Sequence, residues 1–107
     1  MTRKEALAEL IEKLEAGKGL DERVAMRATG RGALVWMAFN GSLDAAKALH
    51  EAVLPGWFAG VSENIHGHGW YGWVQTNERH MEARSNQPAR AWLLAILKAL
   101  HAQESGQ

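Results

Sequence analysis

The chain contains no cysteine. That excludes disulfides, thiolate metal ligands and cysteine nucleophiles, and leaves stability to packing and hydrogen bonding. Aspartate is nearly as scarce: Asp21 and Asp44 are the only two, so a Ser-His-Asp arrangement has little to draw on, and no nucleophile elbow surrounds Ser42, Ser62, Ser85 or Ser105. There is no excess of one charge, with 12 Lys+Arg against 12 Asp+Glu. A general nucleic-acid binder is therefore disfavoured, and a basic patch can only be local. Long hydrophobic runs are also missing. The stretch Ala91 to Leu97 falls far short of the roughly 20 apolar residues of a membrane helix, so no membrane partner is expected. The opening residues lead into a pattern carrying Glu5, Glu9, Glu12, Lys13 and Glu15, unlike a secretory leader, and the expected location is cytoplasmic.

What is present fits one globular domain over the 107 residues, with 47% hydrophobic and 22% charged residues and a polar tail expected to fray from about residue 102. Thr2 and Glu5 form a capping-box pattern, and Leu7, Leu10, Ile11 and Leu14 make the apolar stripe of a helix over about residues 3 to 16. Asp21 caps a second, short helix ended by Gly30 and Gly32. Ala33 to Phe39 is uniformly apolar, equally compatible with a buried strand or a buried helical turn, and is expected to enter the core. Ser42 caps a further helix that Pro55 forbids beyond Leu54. Period-two alternation over Trp57–Val61 and Trp70–Thr76 predicts a hairpin, and Glu78–Ser85 a returning third strand. A last helix is expected to start from a Ser85 or Asn86 cap with Pro88 in its first turn. The class is α+β: a short antiparallel meander packed against amphipathic helices.

Phe39-Asn40-Gly41-Ser42-Leu43-Asp44-Ala45-Ala46, then Val53-Leu54-Pro55-Gly56-Trp57, then Asn86-Gln87-Pro88-Ala89-Arg90-Ala91-Trp92-Leu93-Leu94, resembles the phage ABA sandwich family of small phage and prophage proteins. The resemblance implies a layered α/β/α sandwich and a bacteriophage setting. Its motifs are caps, stops and a core tryptophan, so no catalytic residue and no cofactor carries over.

Four constellations carry chemistry. His66 and His68 stand two residues apart and, with His80 from a neighbouring strand, are a weak candidate metal set; exposed loop histidines are the plainer reading, and no metal is expected. Glu63 with His66 and Glu78 with His80 are adjacent acid–base pairs of the kind usually found solvated, so no enzyme activity is expected. Five tryptophans with Tyr71, Phe39 and Phe58 place rings on both sides of the strands. Helices on both faces would cover them, whereas an uncovered set would mark a partner surface, with Trp70, Tyr71 and Trp73 the candidates. Arg23, Arg27 and Arg31 recur every four residues and would line one face of the second helix as a further partner site.

The function expected from these readings is a phage or prophage accessory protein that binds a host bacterial protein, for instance to inhibit a defence system such as CRISPR. The alternatives are a small-molecule or nucleotide-sequestering module using the hairpin aromatics with Arg27 or Arg84, a His-dependent metalloprotein, and a minor virion component. An unpaired sheet edge would also permit a homodimer.

Overall fold

The computed structural model describes residues 1–106. Its elements run α1 (Arg3–Glu15), α2 (Glu22–Thr29), α3 (Gly32–Phe39), α4 (Leu43–Val53), β1 (Phe58–Glu63), β2 (Trp70–Gln75), β3 (His80–Ser85) and α5 (Pro88–Glu104). The three strands form one antiparallel meander in the order β1-β2-β3, so the α+β class is as expected.

The local signals act as the sequence predicts. The Thr2 hydroxyl accepts the Glu5 N–H at 3.1 Å while Glu5 Oε1 accepts the Thr2 N–H at 2.9 Å, which completes the capping box. Those hydrogen bonds hold the Glu5 carboxyl below its usual range, the Thr2 backbone N–H being the largest cause. Because the folded value is lowered, the box contributes fully above the ordinary glutamate range and is lost as pH falls through the lowered value. Amide exchange at the start of α1 should accelerate in that acidic window in the wild type. In Glu5→Gln it should already be faster at neutral pH; identical profiles would show that the box does not hold the helix end.

Asp21 Oδ1 accepts the Arg23 N–H, and the Ser42 hydroxyl accepts the Ala45 N–H at 3.0 Å. Gly30, at φ 71°, ends α2 in the left-handed region, where a side chain would be strained. The ambiguous Ala33–Phe39 segment is helical. Gly32, Val35 and Ala38 are buried at helical spacing, while Trp36 and Met37 are 47% and 42% exposed. The segment therefore enters the core by one face only.

Two expectations for α5 are corrected. Its N-cap is Gln87, without a side-chain cap bond, because Pro88 supplies the fixed φ of the first helical position. The supposed fraying tail continues the helix to Glu104, where Glu104 pairs with Arg3 at 3.1 Å and the Ser105 hydroxyl donates to the His101 carbonyl. Arg3 also donates to the Ala28 carbonyl at 2.9 Å, which joins α1, α2 and the end of α5.

The layers are ordered differently from an α/β/α sandwich. Among the described residues, the substantial helix–sheet contacts are all made by α5, which also packs against α1, α3 and α4. The order is thus sheet, then α5, then the remaining helices. This central place explains why Leu93, Ile96, Leu97 and Leu100 are almost wholly buried, each contributing about 1.5–3 kcal/mol of transfer free energy.

The sheet and α5 approach closely at Gly72 in the middle strand. A Cβ there would lie 2.4 Å from the Ala91 carbonyl carbon and 2.4 Å from the Trp92 nitrogen. Strand alternation places Val61, Gly72, Val74 and Ala83 toward α5. It turns Phe58, Gly60, Ser62, Tyr71, Trp73, Gln75, His80, Glu82 and Arg84 to the other side.

A second tie links α4 to α5. His50, 6% exposed, sets Nε2 at 2.8 Å from the Trp57 carbonyl, and its Nδ1 accepts the Trp92 indole N–H at 3.3 Å. Because the carbonyl only accepts and the indole only donates, both are satisfied by the neutral ring with its proton on Nε2.

Candidate binding surface

With α5 on one face, the other face of the meander is open. Its rings are held by their neighbours across the strands. Trp73 stands opposite Gly60 on β1 and Glu82 on β3. A Cβ at Gly60 would come within 2.3 Å of the Trp73 ring, so the missing side chain lets the indole lie flat across β1.

On the other flank, the His80 ring stacks on Trp73 with centroids 6.4 Å apart and an interplanar angle of 23°. His80 is positioned in turn by Gln75 at 3.0 Å and Glu82 at 3.4 Å. Tyr71 stands opposite Arg84, whose guanidinium lies 4.8 Å from the ring centroid. The face is therefore a strip of flat rings, Trp73 and Tyr71, edged by Arg84, His80 and Glu82 and extended by Phe58, which is 64% exposed. Rings locked by cross-strand partners lose little side-chain freedom on binding, which suits them as anchors.

The structure divides the aromatic candidates. Tyr71 and Trp73 share the open face. Trp70 has the parity of Gly72 and Val74, and it pairs with Glu63 and Ser85 at the far end of the strand. Phe58, whose alternation with Ala59 is legible in the sequence, joins Tyr71 and Trp73 on this face.

The arginine row is also interrupted. Arg23 and Arg27 lie one turn apart on the exposed face of α2. Gly30 then ends that helix, and Arg31 becomes the N-cap of α3, donating to the Gly30 carbonyl at 3.2 Å.

The three-histidine set does not assemble. His66 and His68 lie in the β1–β2 turn, where Asn64 accepts the His66 N–H. That turn adjoins the Trp70–Ser85 end of the sheet, whereas His80 pairs with Gln75 five positions along the strand, about 16 Å away. Among the described residues no group of three or more His, Asp or Glu side chains has a metal-binding arrangement. Nor do the two sequence-adjacent acid–base pairs form: the carboxylate beside His80 is Glu82, and His66 has an Asn64 contact at its backbone.

Among the described residues no helix is long and apolar enough to cross a membrane. Comparisons with protein-family models, curated proteins and solved structures give no match to this chain. The likeness to the phage sandwich proteins accordingly rests on the quoted residues alone.

Proposed function

We propose that the chain is a non-enzymatic binding protein that uses the open face of its meander, centred on Tyr71 and Trp73, to engage another protein. The observation that carries this reading is the uncovered sheet face itself. A one-sided meander ordinarily turns polar residues to water, yet this one directs Phe58, Tyr71 and Trp73 outward and reserves Gly72, Val74 and Ala83 for the interior. Outward rings beside a guanidinium match the composition of interface hot spots. The residues quoted for the phage family favour a phage or prophage accessory role in the bacterial cytoplasm. A host protein is then the partner, defence components such as CRISPR effectors being one target class.

A nucleotide-binding reading has one feature in its favour, a depression of about 300 Å³ lined by Tyr71, Glu82, Ala83, Arg84, Leu94 and Lys98 together with Glu15. That volume is at the floor for small-molecule sites. Its two carboxylates oppose phosphate, and Arg84 is already engaged by Tyr71, so the protein partner is preferred.

The test is affinity capture from a bacterial host with wild type and with a Tyr71→Ala, Trp73→Ala double variant, each checked by circular dichroism. A stoichiometric host protein should be retained by wild type and its binding weakened about 1000-fold by the pair of truncations, at ~2 kcal/mol per hot-spot ring. Hydrogen exchange of the complex should then slow at β2 and β3. Equal capture by both proteins would remove the sheet face from the reading.

A further inference from the structure

A second surface lies across α2 and α3, elements that pack on the helical side of the molecule. Met26, Trp36 and Met37 are 55%, 47% and 42% exposed, and together they line one depression floored by Gly32 and Ala33. Gly32 is buried, and a Cβ on it would be only 3.6 Å from both Cβ and Cε of Met26. Met26 thus lies against the start of α3 at ordinary van der Waals distance. A shallower depression lined by Arg23, Met26 and Arg27 shares Glu22 and Met26 with the first.

The ion pairs among the described residues use Arg3, Lys13, His80 and Lys98, and neither Arg23 nor Arg27 takes part. Arg31, next in line, reaches only the Gly30 carbonyl. Two cations, Arg23 and Arg27, therefore stand against Glu22 beside the apolar side chains, in a chain whose formal net charge is zero.

We propose that this α2–α3 patch is a docking site for an acidic amphipathic helix of a partner protein. The partner's apolar stripe packs on Met26, Trp36 and Met37. Methionine side chains adapt readily to a partner's shape, and a helix in a groove presents anchors at i, i+3, i+4 and i+7. Carboxylates flanking the stripe meet Arg23 and Arg27, which are one turn apart and so match acids spaced i, i+4 on the incoming helix. The electrostatic complementarity fixes orientation and accelerates encounter. Glu22, at the junction of the two depressions, opposes a continuous array of phosphates while leaving room for discrete carboxylates. This favours a protein over nucleic acid or an anionic bilayer. The site is independent of the sheet face, so either surface can fail without the other.

The experiment titrates the full chain against fluorescent helical peptides of about 15 residues with a leucine stripe and glutamate flanks, and against the same peptides with glutamine or lysine flanks. The glutamate peptide should bind about tenfold more tightly than the lysine one. Arg23→Gln with Arg27→Gln should abolish that preference. Trp36→Ala should weaken all three peptides alike, and Tyr71→Ala with Trp73→Ala should leave binding unchanged. Arg23, Arg27 and Trp36 are exposed and Tyr71 and Trp73 half-buried, and circular dichroism verifies that every variant folds. Absence of binding, no preference among flanks, or a preference that survives the arginine changes would overturn the proposal. So would tighter, arginine-dependent binding to phosphatidylcholine–phosphatidylglycerol vesicles or to a single-stranded oligodeoxynucleotide, which would make the patch a phosphate surface.

Discussion

Gly72→Ala should destabilise the chain by about 3 kcal/mol or more, at or beyond the upper end of ordinary overpacking. The added carbon would meet the backbone of Ala91 and Trp92 at 2.4 Å, a contact that no rotamer change can relieve. Either α5 withdraws from the sheet or β2 bows outward. Both responses loosen the packing around Val74, Leu93 and Ala83, which are nearly inaccessible to water. In a domain of this size such a loss lowers Tm by roughly 12 °C or more, at about 4 °C per kcal/mol. Thermal melts of Gly72→Ala and Gly72→Val beside Gly19→Ala provide the check, since Gly19 has nothing within 4 Å of its Cβ position. A Gly72→Ala melt matching that of Gly19→Ala would mean the strand and helix do not approach so closely.

His50→Leu should cost about 2–5 kcal/mol. The substitution retains an apolar body but removes both hydrogen bonds, stranding the Trp57 carbonyl and the Trp92 indole N–H in a partly buried setting. Each orphaned group carries a penalty of about 1–3 kcal/mol. His50→Gln keeps an amide that can donate to the carbonyl and accept from the indole, so it should recover part of the loss. Chemical denaturation of the three proteins separates the causes. If leucine and glutamine are equally damaging, ring shape is what matters at this site; if neither is damaging, the two hydrogen bonds contribute nothing to stability. Trp92 fluorescence should also respond to the loss of its partner, which locates the change at the α4–α5 contact.

The features legible in the sequence are those decided over three or four residues. Thr2 with Glu5, Asp21 with Gly30, and Ser42 with Pro55 each fix a helix end through a local hydrogen bond or a backbone restriction. The strand alternation was equally legible, since Ala59 and Val61 against Phe58 and Gly60 already sorted the two faces. Features set by distant partners were not. Ala33–Phe39 carries residues at home in strands as well as helices, and its helical form follows from the neighbouring turns and from seating Val35 and Ala38 on one face. The end of α5 depends on Arg3, a hundred residues earlier in the chain. The layer order turned on Gly72: a glycine between Tyr71 and Trp73 is a mark of close backbone approach, and it meant that the large rings faced outward and the small residues inward. The candidate surface was thus half visible: Tyr71 and Trp73 were named and share one face, Phe58 and Trp36 were counted among the rings without being singled out, and Trp70 lies on the opposite face of the strand from Tyr71 and Trp73.

The middle position of α5 has a consequence for biosynthesis. It follows all seven other elements in chain order, yet it is the layer between them. During translation at about 5–20 residues per second, the nascent meander and helices emerge with their facing apolar surfaces still bare. Both are completed in a single late event when α5 becomes available. Until then those surfaces stand exposed on the growing chain, and transiently exposed apolar surface favours association between chains.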